Sequence, residues 1–165
     1  MVAIGQKVCY NRHIKSQGGV FMAFLGEFSH QLDDKNRIRI PTQFKEQLGS
    51  SFYLSKGLDG TINILPVKVV EAQLEKLQSC ISEFDEAGQE ALFEYTSTIY
   101  EVKEDKHGRI RIPDVLVEFA NLEKDLVTIG AINKLSLMSK DVRDKRKVKR
   151  THAETMAIIN DRLKG

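Results

Sequence analysis

The chain has 165 residues, 41% hydrophobic and 29% charged; this is the make-up of one or two small globular domains, not of a disordered or fibrous chain. No apolar run approaches the ~20 residues of a helical membrane span. Residues 1–21 lack the continuous apolar core of a signal peptide, which points away from secretion. Two cysteines, Cys9 and Cys80, are too few for a disulfide scaffold and match no zinc spacing. A reducing cytoplasm is therefore the expected compartment. The net charge of +2 conceals a gradient of +3 over residues 1–21, −6 over 22–137 and +5 over 138–165. A surface for nucleic acid would have to concentrate basic residues locally, or draw on many subunits at once.

In chain order, alternation predicts a strand over 27–32, a polar turn and a return strand over 37–40. A short helix follows over 42–48, opened by Pro41 and stopped by Gly49. Strands over 52–56 and 62–65 flank Asp59-Gly60, a hairpin signal. Val67, Val70, Leu74, Leu77 and Ile81 recur at spacings of three and four, a helix face read as core or subunit interface. Cys80 on that helix is read as a small buried hydrophobe, and Gly88 is expected to break the helix before a second one over 89–95. The opening series then recurs: strands over 98–103 and 109–112, a helix over 114–120, strands over 126–129 and 135–138. A basic helical stretch over 139–150 and a short helix over 154–163 close the chain.

The recurrence is literal at its centre. Residues 31–41 read QLDDKNRIRIP and residues 103–113 read KEDKHGRIRIP, so Asp33, Arg37 and Pro41 match Asp105, Arg109 and Pro113 at an offset of 72. Such a recurrence in a short chain points to duplication. Period-2 geometry places Arg37 and Arg39 on one strand face and Ile38 and Ile40 on the other, with the same split in the second copy. One unit of roughly 45 residues buries too little surface to stand alone. The two units are therefore expected to complete one core about a pseudo-twofold axis.

The repeated D-x-x-x-R carries the candidate chemistry. Asp33 and Asp105 can brace Arg37 and Arg109 across a tight turn. A braced guanidinium is a preorganised fork for phosphate or for guanine O6/N7. With Lys35, Arg39, Lys106 and Arg111 the two motifs would form one basic surface on an acidic body. The competing reading is a pair of exposed turn clamps worth about 0–1 kcal/mol each. Residue types alone leave the two close to even; the second arginine in each Arg-Ile-Arg-Ile favours the first, since a clamp does not need it.

These residues carry a family resemblance. The runs FLGEFSHQLDDKNRIRIP (24–41), GLDG (57–60), DKHGRIRIP (105–113) and LVTIGAIN (126–133) resemble the MraZ family of bacterial proteins over about residues 22–145. The resemblance implies an α+β fold: two tandem AbrB-like swapped-hairpin units paired into one pseudo-twofold β-barrel with flanking helices. It implies units over 26–69 and 98–141, a helical linker over 70–97 and a basic helical tail over 142–165. It further implies a DNA-binding transcriptional regulator of the division and cell-wall gene cluster, cytoplasmic and nucleoid-associated. Such a protein forms a ring-shaped homo-oligomer and binds short direct repeats in its own double-stranded promoter DNA. The arginine-bearing loops, with Arg37 and Arg109 foremost, are then the reading surface. Asn36 departs from the glycine usual at its position, but asparagine tolerates a left-handed turn. Residues 1–21 have no counterpart in the family; of two readings, an upstream-start artefact or a basic arm, the first is preferred.

Other signals weigh less. His13, His30, His107 and His152 are scattered without metal spacing, and no phosphate-binding glycine loop or nucleophile motif occurs. The expectation is no cofactor, no metal, no small-molecule substrate, no membrane and no catalysis. The alternative function is an antitoxin-like or other protein-interaction module of the same fold, whose basic faces would dock an acidic partner. The basic tail is read either as an extra DNA attraction or as a solvated helix face.

Overall fold

The computed structural model describes residues 23–165; the readings of residues 1–21, Cys9 and His13 lie outside them. The architecture is α+β. In the first copy, β1 (Glu27–Gln31) and β2 (Arg37–Arg39) flank a tight loop, then come α1 (Thr42–Leu48), β3 (Ser51–Lys56) and β4 (Ile62–Pro66). Two helices, α2 (Val67–Cys80) and α3 (Glu86–Thr96), lead to the second copy. It consists of β5 (Tyr100–Lys103), β6 (Arg109–Arg111), α4 (Asp114–Phe119), β7 (Asp125–Gly130) and β8 (Leu135–Ser139). Helices α5 (Lys140–Val148) and α6 (His152–Lys164) follow.

The strands do not pair with the neighbours that chain order suggests. Each first strand joins the other copy: β1 runs antiparallel to β7, and β5 antiparallel to β3. The return strands pair with each other, Arg37 opposite Arg111, Ile38 opposite Ile110 and Arg39 opposite Arg109. The outcome is a six-stranded antiparallel sheet, β1-β7-β8-β4-β3-β5, and a separate β2–β6 ribbon. Ribbon strand β2 adjoins edge strand β1, and β6 adjoins edge strand β5. No ladder links ribbon to sheet, so hydrogen bonding closes no barrel.

Burial follows the sequence alternation. Ile38, Ile40, Ile110 and Ile112 are wholly buried and share one core with Phe44 and Leu48 of the first copy and Leu116 and Ala120 of the second. Each fully buried side chain of this size contributes about 1.5–3 kcal/mol. Phe44 anchors the first copy's half, with edge-to-face contacts to Phe24 and Phe28 at 5.7 and 5.0 Å. Gly130 is required where residues 24–26 cross β7: its N–H donates to the Gly26 carbonyl at 2.8 Å, and a Cβ there would collide with the Phe24–Leu25 backbone.

Three local expectations are corrected. Gly88 does not break a helix; it lies in the first turn of α3, where its N–H donates to the Asp85 cap at 3.0 Å. The break falls earlier, at Ile81. Cys80 is exposed rather than buried, because it projects from a helix that the sheet covers only at Val70. The stripe from Val67 to Ile81 is accordingly mostly not core: it marks an apolar face on which Val70 is the buried residue of the helix.

Candidate nucleic-acid interface

Both copies of D-x-x-x-R close by the same hydrogen bonds. In the first loop the Lys35 and Arg37 backbone N–H groups each donate to Asp33 Oδ1 at 2.9 Å. In the second, the His107 and Arg109 N–H groups donate to Asp105 Oδ1 at 2.8 and 3.0 Å. The fourth loop residue is left-handed in each, Asn36 at φ 55° and Gly108 at φ 68°. An asparagine accepts that conformation at little cost. The first loop thus keeps its shape without glycine, and the Asn36 side chain gains a 2.9 Å hydrogen bond to Asp114 of the other copy.

The second carboxylate oxygen of each aspartate holds an arginine. Arg37 Nε and Nη2 lie 2.8 Å from Asp33 Oδ2, and Arg109 Nε lies 3.2 Å from Asp105 Oδ2. The ribbon then adds a reciprocal cross-pair: Arg37 Nη1 faces Asp105 Oδ2 and Arg109 Nη1 faces Asp33 Oδ2, both at 3.8 Å. Two carboxylates and two guanidiniums thus form one neutral network across the pseudo-symmetric centre. The two arginine side chains remain 25% and 29% exposed. Arg109 and His107 N–H donation draws the Asp105 carboxyl down to about 2, against the smaller cost of burial. At Asp33 burial raises the carboxyl, but the Arg37 and Lys35 N–H groups and the Arg37 guanidinium together bring it below its usual value. Both aspartates are therefore ionised at neutral pH.

Around this network lie the other basic residues. Arg39 and Arg111 share the outward ribbon face with Arg37 and Arg109, while the isoleucines between them point inward. Arg111 pairs with Asp114 at 3.2 Å. Lys35, Arg39 and Lys106 are exposed and hold no side-chain ion pair among the described residues. All six basic residues singled out in the sequence thus gather on one ribbon and its two loops. A cleft of about 410 Å³ opens beside three of them, between Asp34, Lys35, Asn36, Arg37 and Arg111. Like charges facing across a ladder repel; Asp33, Asp105 and Asp114 offset that repulsion and fix the forks in place. The chemistry available is anion recognition by rigidly held guanidiniums ringed by exposed cations.

Sequence reasoning missed the cross-pairing and Asp114; the duplicated motif was the signal that could have found them, since a twofold pairing brings like loops together. It also missed Glu27, at the start of β1, which lies outside the repeated D-x-x-x-R motif. Its carboxylate takes Arg143 at 2.8 Å and Lys147 at 2.7 Å, tying α5 to the sheet. Those bonds, Lys147 first, hold Glu27 below its ordinary value. Among the described residues no cluster of His, Cys, Asp or Glu has the arrangement of a metal site, and no helix is long and apolar enough to cross a membrane.

Comparison with known proteins fits this geometry. The family model described as "MraZ protein, putative antitoxin-like" matches residues 23–92 and 97–142, taking in both loops and the ribbon. The chain is similar to the transcriptional regulator MraZ of Clostridium acetobutylicum, 38% identical over 121 residues, 72% of this chain and 82% of that protein. It is 40% identical to that of Pelotomaculum thermopropionicum over 118 residues, covering 72% and 81%. To that of Dictyoglomus turgidum it is 31% identical over 140 residues, covering 85% and 95%. With its family model spanning both repeats and such relatives aligned over most of their length, the chain belongs to the MraZ family.

Proposed function

We propose that this protein is a cytoplasmic, nucleoid-associated, sequence-specific DNA-binding transcriptional regulator. It acts on the division and cell-wall gene cluster by binding short direct repeats in its own promoter. Arg37 and Arg109 read the DNA, and Lys35, Arg39, Lys106 and Arg111 meet its phosphates. Asp33 and Asp105 hold the reading arginines in place. The observation that carries the proposal is the β2–β6 ribbon, which sets four arginines on one face above a neutralising carboxylate pair. Relatives named as transcriptional regulators support it. The strand exchange between copies supports reading residues 26–69 and 98–141 as two AbrB-type swapped-hairpin units. Joined by the linker 70–97 and followed by the tail 142–165, they form one barrel-like body, the ribbon packing over the open sheet edges. A ring of such bodies brings several small basic faces onto one DNA segment, where linked contacts multiply affinity.

The test is a fluorescence-anisotropy titration against the protein's own upstream promoter fragment and scrambled DNA at two salt concentrations. Arg37→Ala and Arg109→Ala should each lose about 1–3 kcal/mol of promoter affinity with unchanged assembly. Affinity of the unaltered protein should fall with salt by about 0.9 log units per decade for every phosphate neutralised. Equal binding to both DNAs would reduce the reading to a nonspecific binder. The second reading, a protein-interaction module, is favoured by the antitoxin-like description of the family model; absence of binding to either DNA would select it.

A further inference from the structure

The two loops repeat each other's internal bonds, but they are tied to the rest of the molecule by different means. The first loop, residues 33–37, reaches the second copy through Asn36. Its side-chain N–H donates to Asp114 Oδ1 at 2.9 Å, and its carbonyl accepts from the Ile112 N–H at 2.7 Å. In the second loop, residues 105–109, the matching position is Gly108, whose N–H closes its own turn onto the Asp105 carbonyl at 2.9 Å. The residue that matches Asp114 is Thr42. Neither side chain of the Asn36–Asp114 tie thus has a counterpart.

Lys45 fills that place. It lies one turn along α1 from Thr42, and its ammonium stands where a loop side chain would: a Cβ added at Gly108 would come within 2.7 Å of Nζ. Glu104, the residue before the second motif, holds it there, with Oε1 and Oε2 at 2.9 and 3.1 Å from Nζ. The two side chains are 32% and 27% exposed, so their pairing has to overcome the cost of partly desolvating two charges.

The core does not call for those charges. At an offset of 72, Glu104 matches Leu32 and Lys45 matches Val117, and both of these pack against the shared core. Apolar residues fill the equivalent positions where Asn36 and Asp114 supply the tie, and an ion pair stands where glycine has removed it. We infer that Lys45, held by Glu104, is a positioning residue for Arg109: it anchors the second loop to the first copy and so fixes Arg109 relative to Arg37. The inference rests on the DNA-reading role proposed for the two arginines, and adds that their loops reach the same end with unlike anchors. An unanchored loop has to be ordered on binding, which weakens affinity about two- to tenfold for one long side chain.

Replacing the pair by its own counterpart separates position from structure. Lys45→Val with Glu104→Leu removes both charges together and leaves no orphan, so urea unfolding should show no loss of stability. Fluorescence anisotropy of the full chain on its own promoter fragment should show affinity about two- to tenfold weaker. The salt slope should be unchanged, whereas a lost phosphate contact would lower it by about 0.9 log units per decade. The loss should recur in an Arg37→Ala background and vanish in an Arg109→Ala background, where no guanidinium remains to be positioned. Lys45→Arg, which keeps a charge-assisted bond to Glu104, should bind as the unaltered chain does. If circular dichroism shows that the apolar pair does not fold, Lys45→Met with Glu104→Gln keeps both side-chain lengths and puts the same question. An unaltered chain that does not bind the promoter would remove the reading role and this one together. Promoter binding indifferent to the replacement would overturn the positioning alone. So would a reduced salt slope, which would make Lys45 a phosphate contact, or a loss that persists without Arg109.

Discussion

The two copies of the repeat are most alike where the backbone is most constrained and least alike where helices leave the sheet. Their loops share every backbone hydrogen bond to the aspartate, and their ribbon strands share one register. At matched positions beyond α1 and α4 both copies turn to positive φ though with different residues, Gly49 at 79° and Asn121 at 44°. Beyond β4 and β8 the likeness ends. The fourth residue of α2 is Val70, buried against the sheet; the fourth of α5 is Arg143, held by Glu27. One exit became acidic and the other basic. Duplication here preserves what closes a turn and fills a core, and leaves the departing helices free to diverge in charge.

The core gives the largest effect with which to challenge the likeness. Ile38 and Ile110 face each other across the ribbon and are equally buried. Truncating either leaves a cavity in the same shared cluster, so Ile38→Ala and Ile110→Ala should each cost about 2–5 kcal/mol. Urea unfolding should place the two within about 1 kcal/mol of each other, with unchanged m-value. A difference of several kcal/mol would mean that one copy carries the core and the other only leans on it.

Much of this was legible in the sequence, for definable reasons. Alternation in Arg-Ile-Arg-Ile assigned the ribbon faces, because a strand has only two sides. The loops were legible because D-x-x-x-R needs a left-handed fourth residue, which glycine and asparagine both supply. Strand partners were not. Alternation says which face of β1 is buried, but nothing in it says that β1 joins β7 instead of β2. The cross-pairs Arg37–Asp105 and Arg109–Asp33 depend on that choice and were equally hidden. The α2 stripe, read as core or subunit interface, was half legible for the same reason: it identifies an apolar face, not what covers it.

A smaller effect sharpens the comparison at the loops. Gly108→Asn makes the second loop resemble the first and should change stability by under about 0.5 kcal/mol. Gly108→Ala keeps the side chain small but places alanine at φ 68°, which costs about 1–2 kcal/mol. A Cβ there would come 2.7 Å from Lys45 Nζ, the movable end of a long side chain, so strain and not collision sets the cost. Denaturant midpoints for the pair test this directly. If asparagine proved as costly as alanine, the tolerance seen at Asn36 would belong to its bond with Asp114 and not to its backbone.

The smallest effect is a pH dependence present in one copy alone. His30 on β1 stands where the second copy has Val102 on β5. Its Nδ1–H donates to the Arg39 carbonyl at 3.2 Å, so in the neutral ring Nε2 accepts from the Thr128 hydroxyl at 2.6 Å. Burial lowers its pKa from 6.5, partly opposed by the Arg39 carbonyl. The unfolded chain therefore binds more protons, and stability falls as pH drops below about 6.5 until the folded ring also protonates. One titrating group limits the slope to less than about 1.4 kcal/mol per pH unit. The aspartates act lower: their contribution is complete above the ordinary carboxylate range and is lost as pH falls toward about 2, the value for Asp105. Thermal midpoints of the unaltered protein should thus decline from pH 7 to 5, and His30→Val should flatten that decline while leaving the loss below pH 4 in place. An unchanged slope between pH 7 and 5 would move the proton uptake to another group and restore the symmetry that His30 breaks.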